Sequence, residues 1–297
     1  MDNNNKKKFT IHFGGSGGCY HYFFGVAALL QDYFDISSLN FESVSGSGFP
    51  CCCLAMGVPI RQIYRLWINR KISLIKNNNL LSFFELFYKL VYAHTTEIGK
   101  IADISSDNLK NWSHQVKVSP LNTKKPISIN EFISSDDYAH LITASAFIPL
   151  PFKNFKAWNV KTRNELFFDG MLKFNWWIDI FLFPYYFIRN FLSKFINKKK
   201  SQNNNILESK NINLTITSIN GNKPFGGLLG LLYYTIVGIF TDCDWMYYRG
   251  YLDARNILLP KLLKLGVPLS KKNQIKSNDN LIKFKKCSTN ANYLLER

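Results

Sequence analysis

A chain of 297 residues that is 46% hydrophobic can bury one large core or two modest ones. Its 37 basic against 20 acidic residues leave a charge of +17, which favours an anionic partner, either nucleic acid or a membrane surface. Of six cysteines, the three adjacent ones, Cys51 to Cys53, cannot form a disulfide framework among themselves, and the chain reads as reduced and intracellular; no CxxC pair or histidine cluster points to a metal.

Residues 1–8 are basic and read as a disordered arm, with no apolar stretch of the secretory kind behind them. Phe9 to Phe13 alternates and predicts a first strand, broken by Gly14-Gly15-Ser16-Gly17-Gly18. Tyr22 to Leu30 then reads as an apolar helix with Gly25 at a close packing position. Asn40 to Val44 predicts a second strand, which runs into Ser45-Gly46-Ser47-Gly48 and a helix from Pro50 to Met56 that closes on Gly57. Pro59 to Trp67 and Leu80 to Val91 have helical spacing. A short alternation in Lys125 to Ile133 leads to a helix start with Asn130 as its cap, and Ser135 to Ala146 is helical and ends before Pro149. Glu165 to Phe168 is a short strand closed by Asp169-Gly170. Asn211 to Ile219 is a strand by alternation and β-branching, and Trp245 to Leu259 is a final helix. Strands alternating with helices predict an α/β fold, a three-layer sandwich with a mostly parallel central sheet flanked by helices. The expected division is the arm at 1–8, one domain over 9–267 with an insertion or surface loop at 183–210, and a basic tail at 268–297.

Two apolar stretches bear on membranes. Trp176 to Ile196 is interrupted by Asp179, Pro184 and Arg189, and Phe225 to Phe240 is uncharged but short, so neither supplies the uninterrupted run of about 20 apolar residues that a span needs. Both read as buried or interfacial segments. The excess positive charge lies in Lys/Asn-rich stretches such as Asn3 to Lys8 and Lys271 to Lys286. These read as solvated loops and tails or as an electrostatic surface; nucleic acid is disfavoured because no nucleic-acid motif with its spacing appears.

Two turns carry candidate chemistry. Gly14 to Gly18, between a strand and a helix, reads as an oxyanion hole of backbone N–H groups or as a turn made for close packing. A dinucleotide fingerprint starting at Gly15 would need glycine where Tyr20 stands. The Ser/Gly turn after Val44 reads as a nucleophile elbow, which needs small flanking residues, or as a plain β-turn feeding a helix.

A third piece, Ala144 to Asn175, joins these two in order and spacing. It contains Ala144-Ser145-Ala146-Phe147-Ile148-Pro149, with Phe152 following, and Phe168-Asp169-Gly170, with Asn175 following. Together with Gly15-Ser16-Gly17, Gly25-Val26-Ala27 and the closing stretch Tyr248 to Leu258, the sequence resembles the patatin-like phospholipase family over most of residues 9–260. The resemblance implies a lipid acyl hydrolase of the phospholipase or acylglycerol lipase type, working with a Ser-Asp dyad at a membrane or lipid-droplet surface. It implies no cofactor and no metal. It would be cytoplasmic and peripherally membrane-associated, with a phospholipid or acylglycerol as substrate. In the family the helix after the nucleophile ends at a glycine about a dozen residues on; Ser45 precedes Gly57 by 12 residues and Ser47 by 10, so Ser45 is the nucleophile the resemblance selects. Asp169 becomes the general base, and the backbone N–H groups of Gly15, Ser16, Gly17 and Gly46 the oxyanion hole. This chain departs from the pattern at five places: Ser43 and Ser47 replace both elbow glycines, Tyr20 the third glycine of the oxyanion turn, Cys19 a basic residue, and Met171 a glycine after the aspartate. Those departures keep a second reading open, a catalytically inactive membrane or lipid-binding protein of the same fold.

The chemistry can be posed without the family. A serine hydroxyl needs a base within hydrogen-bond reach. His12, His94, His114 and His140 stand in no motif, with His140 read as a helix-surface or packing residue, and His21 is a rival only because it adjoins the glycine turn. Asp169 ends a strand, where a sheet gathers its active-site residues, and Leu166, Phe167, Phe168 and Met171 are expected to desolvate it and raise its pKa.

Overall fold

Strand β1 (Phe9–Phe13) and strand β2 (Leu39–Val44) both alternate along their length, and Ile11, Phe13, Leu39, Phe41 and Ser43 are the buried members. The two strands pair in parallel, Ile11 opposite Phe41 and Phe13 opposite Ser43. This is a computed structural model, and it describes residues 9–77, 80–102, 113–122, 125–148, 157–171, 211–214, 219, 230, 233–234, 238–239 and 244–270.

Strand β3 (His114–Pro120) extends the sheet in parallel beside β2, and β7 (Asn211–Leu214) extends it on the far side of β1. Beyond β3 the direction reverses. Strands β4 (Ile127–Ile129) and β6 (Glu165–Asp169) run antiparallel to β3, and β5 (Trp158–Val160) antiparallel to β6. The order is β5-β6-β3-β2-β1-β7, with β4 also on β3. The fold is therefore α/β, but the sheet is mixed rather than mostly parallel. Short connections account for two of the antiparallel pairs: β5 and β6 are joined by a tight turn with Asn164 at φ 53°, and β3 and β4 by six residues, each too short for the crossover that a parallel pair requires.

Helix α1 (Tyr20–Tyr33) is buried from Tyr20 through Leu30, the mark of a helix enclosed on all sides. It crosses α6 (Asp244–Asp253) through two glycines. A Cβ on Gly25 would lie 2.0 Å from the Tyr247 carbonyl oxygen, and one on Gly250 2.0 Å from that of Tyr22. The remaining helices are α2 (Gly48–Ala55), α3 (Ile60–Asn77), α4 (Leu80–Ile101), α5 (Ser135–Ala146) and α7 (Leu259–Lys264). As expected, α2 closes on Gly57, which sits at φ 66°.

Several local expectations are corrected. Ser134, not Asn130, caps α5, accepting from the Asp137 N–H at 3.1 Å. The last helix is broken: Ala254–Leu258 widens into a π turn ahead of Pro260, which has no N–H to give an α-helical partner. The strand expected over 211–219 is described for Asn211–Leu214, and 215–218 lie outside the described residues. Strands β3 and β5 had no counterpart in the sequence expectations. The domain's contacts also reach past residue 267: the Asp35 N–H donates to the Pro268 carbonyl, and the Ser270 N–H to that of Tyr33. The arm at 1–8, the loop at 183–210, Trp176 to Ile196, most of Phe225 to Phe240, Phe152, Asn175 and residues 271–297 lie outside the described residues.

Candidate active site

The site is built where β2 ends. Val44 is extended, and the next residue, Ser45, turns to φ 64° before one 3-10 turn leads into α2. A β-carbon in this left-handed region costs about 1–3 kcal/mol, so contacts around Ser45 must over-determine it. Three hydrogen bonds do so. The Ser45 N–H donates to Ser145 Oγ at 2.9 Å, Ser145 Oγ donates to the Lys117 carbonyl of β3 at 2.7 Å, and Ser45 Oγ donates to Asp169 Oδ2 at 2.5 Å.

Asp169 is the last residue of β6. Its N–H donates to the Phe147 carbonyl at 2.8 Å, which ties the strand end to the end of α5, and its Oδ1 accepts the Met171 N–H at 2.8 Å. Gly170 lets β6 and β3 close here, since a Cβ on it would lie 2.2 Å from the Lys117 carbonyl oxygen. Asp169 is 3% exposed, and burial pushes its carboxyl up to about 7, against the lowering effect of the two hydrogen bonds. The expected desolvating set is half right. Phe167 and Phe168 are fully buried, but Leu166 is 43% exposed and Met171 61%, so the rest of the enclosing surface comes from elsewhere. Part of it is Tyr88 on α4, whose hydroxyl accepts the Ile148 N–H at 3.2 Å and whose own pKa is raised by burial and, in smaller part, by the Asp169 charge.

The two serines in the glycine positions of the elbow are accommodated without backbone strain. Ser43 lies within β2 and bonds His114 Nε2 at 2.9 Å. Ser47 has φ −70°, and its hydroxyl faces the Phe13 and Val44 carbonyls at 3.0 and 2.9 Å. The strain of the turn is confined to Ser45 itself.

The glycine turn docks against the elbow. The Gly14 N–H donates to the Leu214 carbonyl at 2.9 Å, and Gly17 sits at φ 49°. A Cβ on Gly46 would lie 2.6 Å from the Gly17 carbonyl oxygen and 3.0 Å from Ser16 Oγ, so glycine at 46 is what lets the two turns touch. Ser45, Gly46 and Gly17 border one cavity of about 460 Å³, counted out to its solvent-open mouth, with Tyr20, Phe49, Trp67 and Tyr88 among its walls. Of the four expected oxyanion residues, Gly17 and Gly46 thus border the same cavity as Ser45. Gly15 backs instead onto Met171 (a Cβ there would lie 1.8 Å from Sδ), and neither Gly15 nor Ser16 lines the cavity.

The histidines are elsewhere. His21 is bonded to Lys71 and Tyr64, His114 to Ser43 and Tyr138, and His140, 7% exposed, accepts from Trp158 Nε1 at 3.0 Å. Burial lowers His114 to about 3 and His94 to about 4. Among the described residues no cluster of three His, Cys, Asp or Glu side chains could hold a metal, and no helix is long and apolar enough to cross a membrane. Ser145 is the site residue whose role the sequence analysis missed; it was visible there only as part of the Ala144–Pro149 segment. Comparison of the chain with protein-family models, with curated proteins and with solved structures finds no match.

Proposed function

We propose that this chain is a patatin-like serine acyl hydrolase of lipids, with Ser45 as nucleophile and Asp169 as general base. The observation that carries the reading is the 2.5 Å hydrogen bond from Ser45 Oγ to a buried carboxylate whose pKa is raised to about 7, made from a left-handed turn at the end of a strand. A carboxylate with that pKa is a competent base near neutral pH. Asp169 takes the hydroxyl proton as Ser45 Oγ attacks the ester carbonyl. The new C–O bond pushes the carbonyl electron pair onto oxygen, and this reading assigns that charge to the N–H groups of Gly17 and Gly46, residues that line the cavity beside Ser45. Collapse of the tetrahedral intermediate breaks the bond to the leaving alcohol, which takes the proton from Asp169. Water, deprotonated by Asp169 in its turn, then attacks the acyl carbonyl; the bond to Ser45 Oγ breaks, Oγ takes the proton back from Asp169, and the acid leaves.

An ester with an apolar acyl group suits the aromatic cavity, and a lipid surface suits the charge of +17. Hydrolysis of p-nitrophenyl butyrate by the purified chain tests this reading. Wild type is expected to turn over, Ser45→Ala to lose at least about a thousandfold in kcat, and Asp169→Asn about 10²–10⁴-fold. An inert wild type that binds lipid vesicles would instead support the non-catalytic lipid-binding protein.

A further inference from the structure

Among the described residues, the proposed hydrolase machinery leaves one buried lysine unused. Lys71 of α3 is fully buried. Its Nζ donates to His21 Nε2 at 2.8 Å and to the Gly238 carbonyl at 2.8 Å, and it lies 5.5 Å from the centre of the Tyr20 ring. His21, in the first turn of α1, is buried as well; its Nδ1 is 3.0 Å from Tyr64 Oη, and that hydroxyl donates to Asp244 Oδ1 at 3.0 Å.

With Lys71 taken as charged, each bond in this chain has one direction. An ammonium only donates, so His21 Nε2 accepts. Nδ1 then carries the ring hydrogen and donates to Tyr64, whose own hydrogen goes to the Asp244 carboxylate. Burial first and the Lys71 charge second hold His21 well below its ordinary pKa, which keeps the ring in the neutral form that this chain requires. The relay therefore joins a cation in the core to a carboxylate at the exposed start of α6.

A buried ammonium costs several kcal/mol, and such networks are poor devices for stability alone. What Lys71 touches gives it another use. Tyr20 is a wall of the catalytic cavity, and so is Ile239, which follows the Gly238 carbonyl that Lys71 holds. The Gly238–Ile239 backbone lies directly on the glycine turn. A Cβ on Gly18 would lie 2.6 Å from the Ile239 nitrogen, and one on Gly238 2.7 Å from the Gly18 carbonyl oxygen. Gly18 is the neighbour of Gly17.

We propose that Lys71 is a positioning residue for the oxyanion turn, holding the Gly238–Ile239 backbone down on Gly18 and so fixing Gly17 beside Ser45. This rests on the hydrolase reading above. Because backbone donors fixed in place act on the charge that develops in the transition state, loss of Lys71 is felt in kcat and not in KM.

The test uses the full chain with p-nitrophenyl butyrate and the variants Lys71→Met, Lys71→Gln and Tyr64→Phe beside Ser45→Ala. Lys71→Met keeps the length and loses every donor; kcat is expected to fall about tenfold or more with KM within about threefold of wild type. Lys71→Gln keeps an amide donor for the Gly238 carbonyl and is expected to recover part of that loss. Tyr64→Phe cuts the relay at a residue that does not line the cavity, with an expected loss of about threefold in kcat at constant KM, and it stands in for Lys71→Met if that variant does not fold. A Lys71→Met kcat within about twofold of wild type while Ser45→Ala is inert overturns the proposal, as does a loss that falls on KM instead. Where Tyr64→Phe stands in, an unchanged kcat does the same. If Ser45→Ala hydrolyses like wild type, the hydrolase reading fails and takes this proposal with it.

Discussion

Ser45 and Asp169 are 124 positions apart in the chain and 2.5 Å apart in space. The chemistry proposed for them rests on burial, and burial gives it a pH signature. The Asp169 carboxyl sits at about 7 in the fold against an ordinary 3.8. Hydrolysis that needs the carboxylate is expected to rise with pH and to be half-maximal near pH 7, read from kcat/KM across a buffer series. Stability moves the other way. Between these two values the folded state holds a proton that the unfolded state has lost, so Asp169's contribution is complete below about pH 4 and is lost as pH rises through about 7. Asp169→Asn removes that dependence, and chemical denaturation at pH 8 is expected to find it more stable than wild type by on the order of 2–4 kcal/mol, with the difference shrinking toward pH 4. At this scale the sequence showed the pair only through the order and spacing of three weak motifs. It could not show that Ser43 and Ser47 are harmless, because that depends on the His114, Phe13 and Val44 partners and on the positive φ falling at Ser45 alone.

Elements read well from sequence where pattern decides them. The first strand, α2 with its closing glycine, and α5 from Ser135 to Ala146 follow from alternation, punctuation and apolar content. Strand β3 is different. Its alternation of Val116 and Val118 is short and set among polar residues, and a strand with such partners is defined by the neighbours it pairs with, β2, β4 and β6. Missing β3 and β5 also hid the antiparallel half of the sheet. Gly25 is the opposite case, a close packing position visible in the sequence whose partner, Gly250, only the fold reveals. Gly25→Ala would drive a methyl group into the Tyr247 carbonyl and force α1 and α6 apart. A loss of about 1–3 kcal/mol is expected in a denaturation curve, with the slope unchanged.

For the whole molecule, charge is the property that sequence states outright and the site does not explain. A chain carrying +17 is drawn to anionic surfaces, and such attraction is screened by salt. Flotation with vesicles containing about 30% phosphatidylserine is expected to carry the protein at 50 mM salt and to release it at 500 mM; no binding at low salt with or without anionic lipid would remove the interfacial role. The central claim, that Ser45 is a nucleophile activated by Asp169, is tested most directly by covalent capture. The full chain is treated with a fluorophosphonate, and the adduct is counted by intact mass and located by peptide mapping. The expected result is one adduct per chain on Ser45, absent in Ser45→Ala and formed at least about a hundredfold more slowly in Asp169→Asn. No adduct on wild type, an adduct on Ser47, or labelling that persists in Ser45→Ala would contradict it.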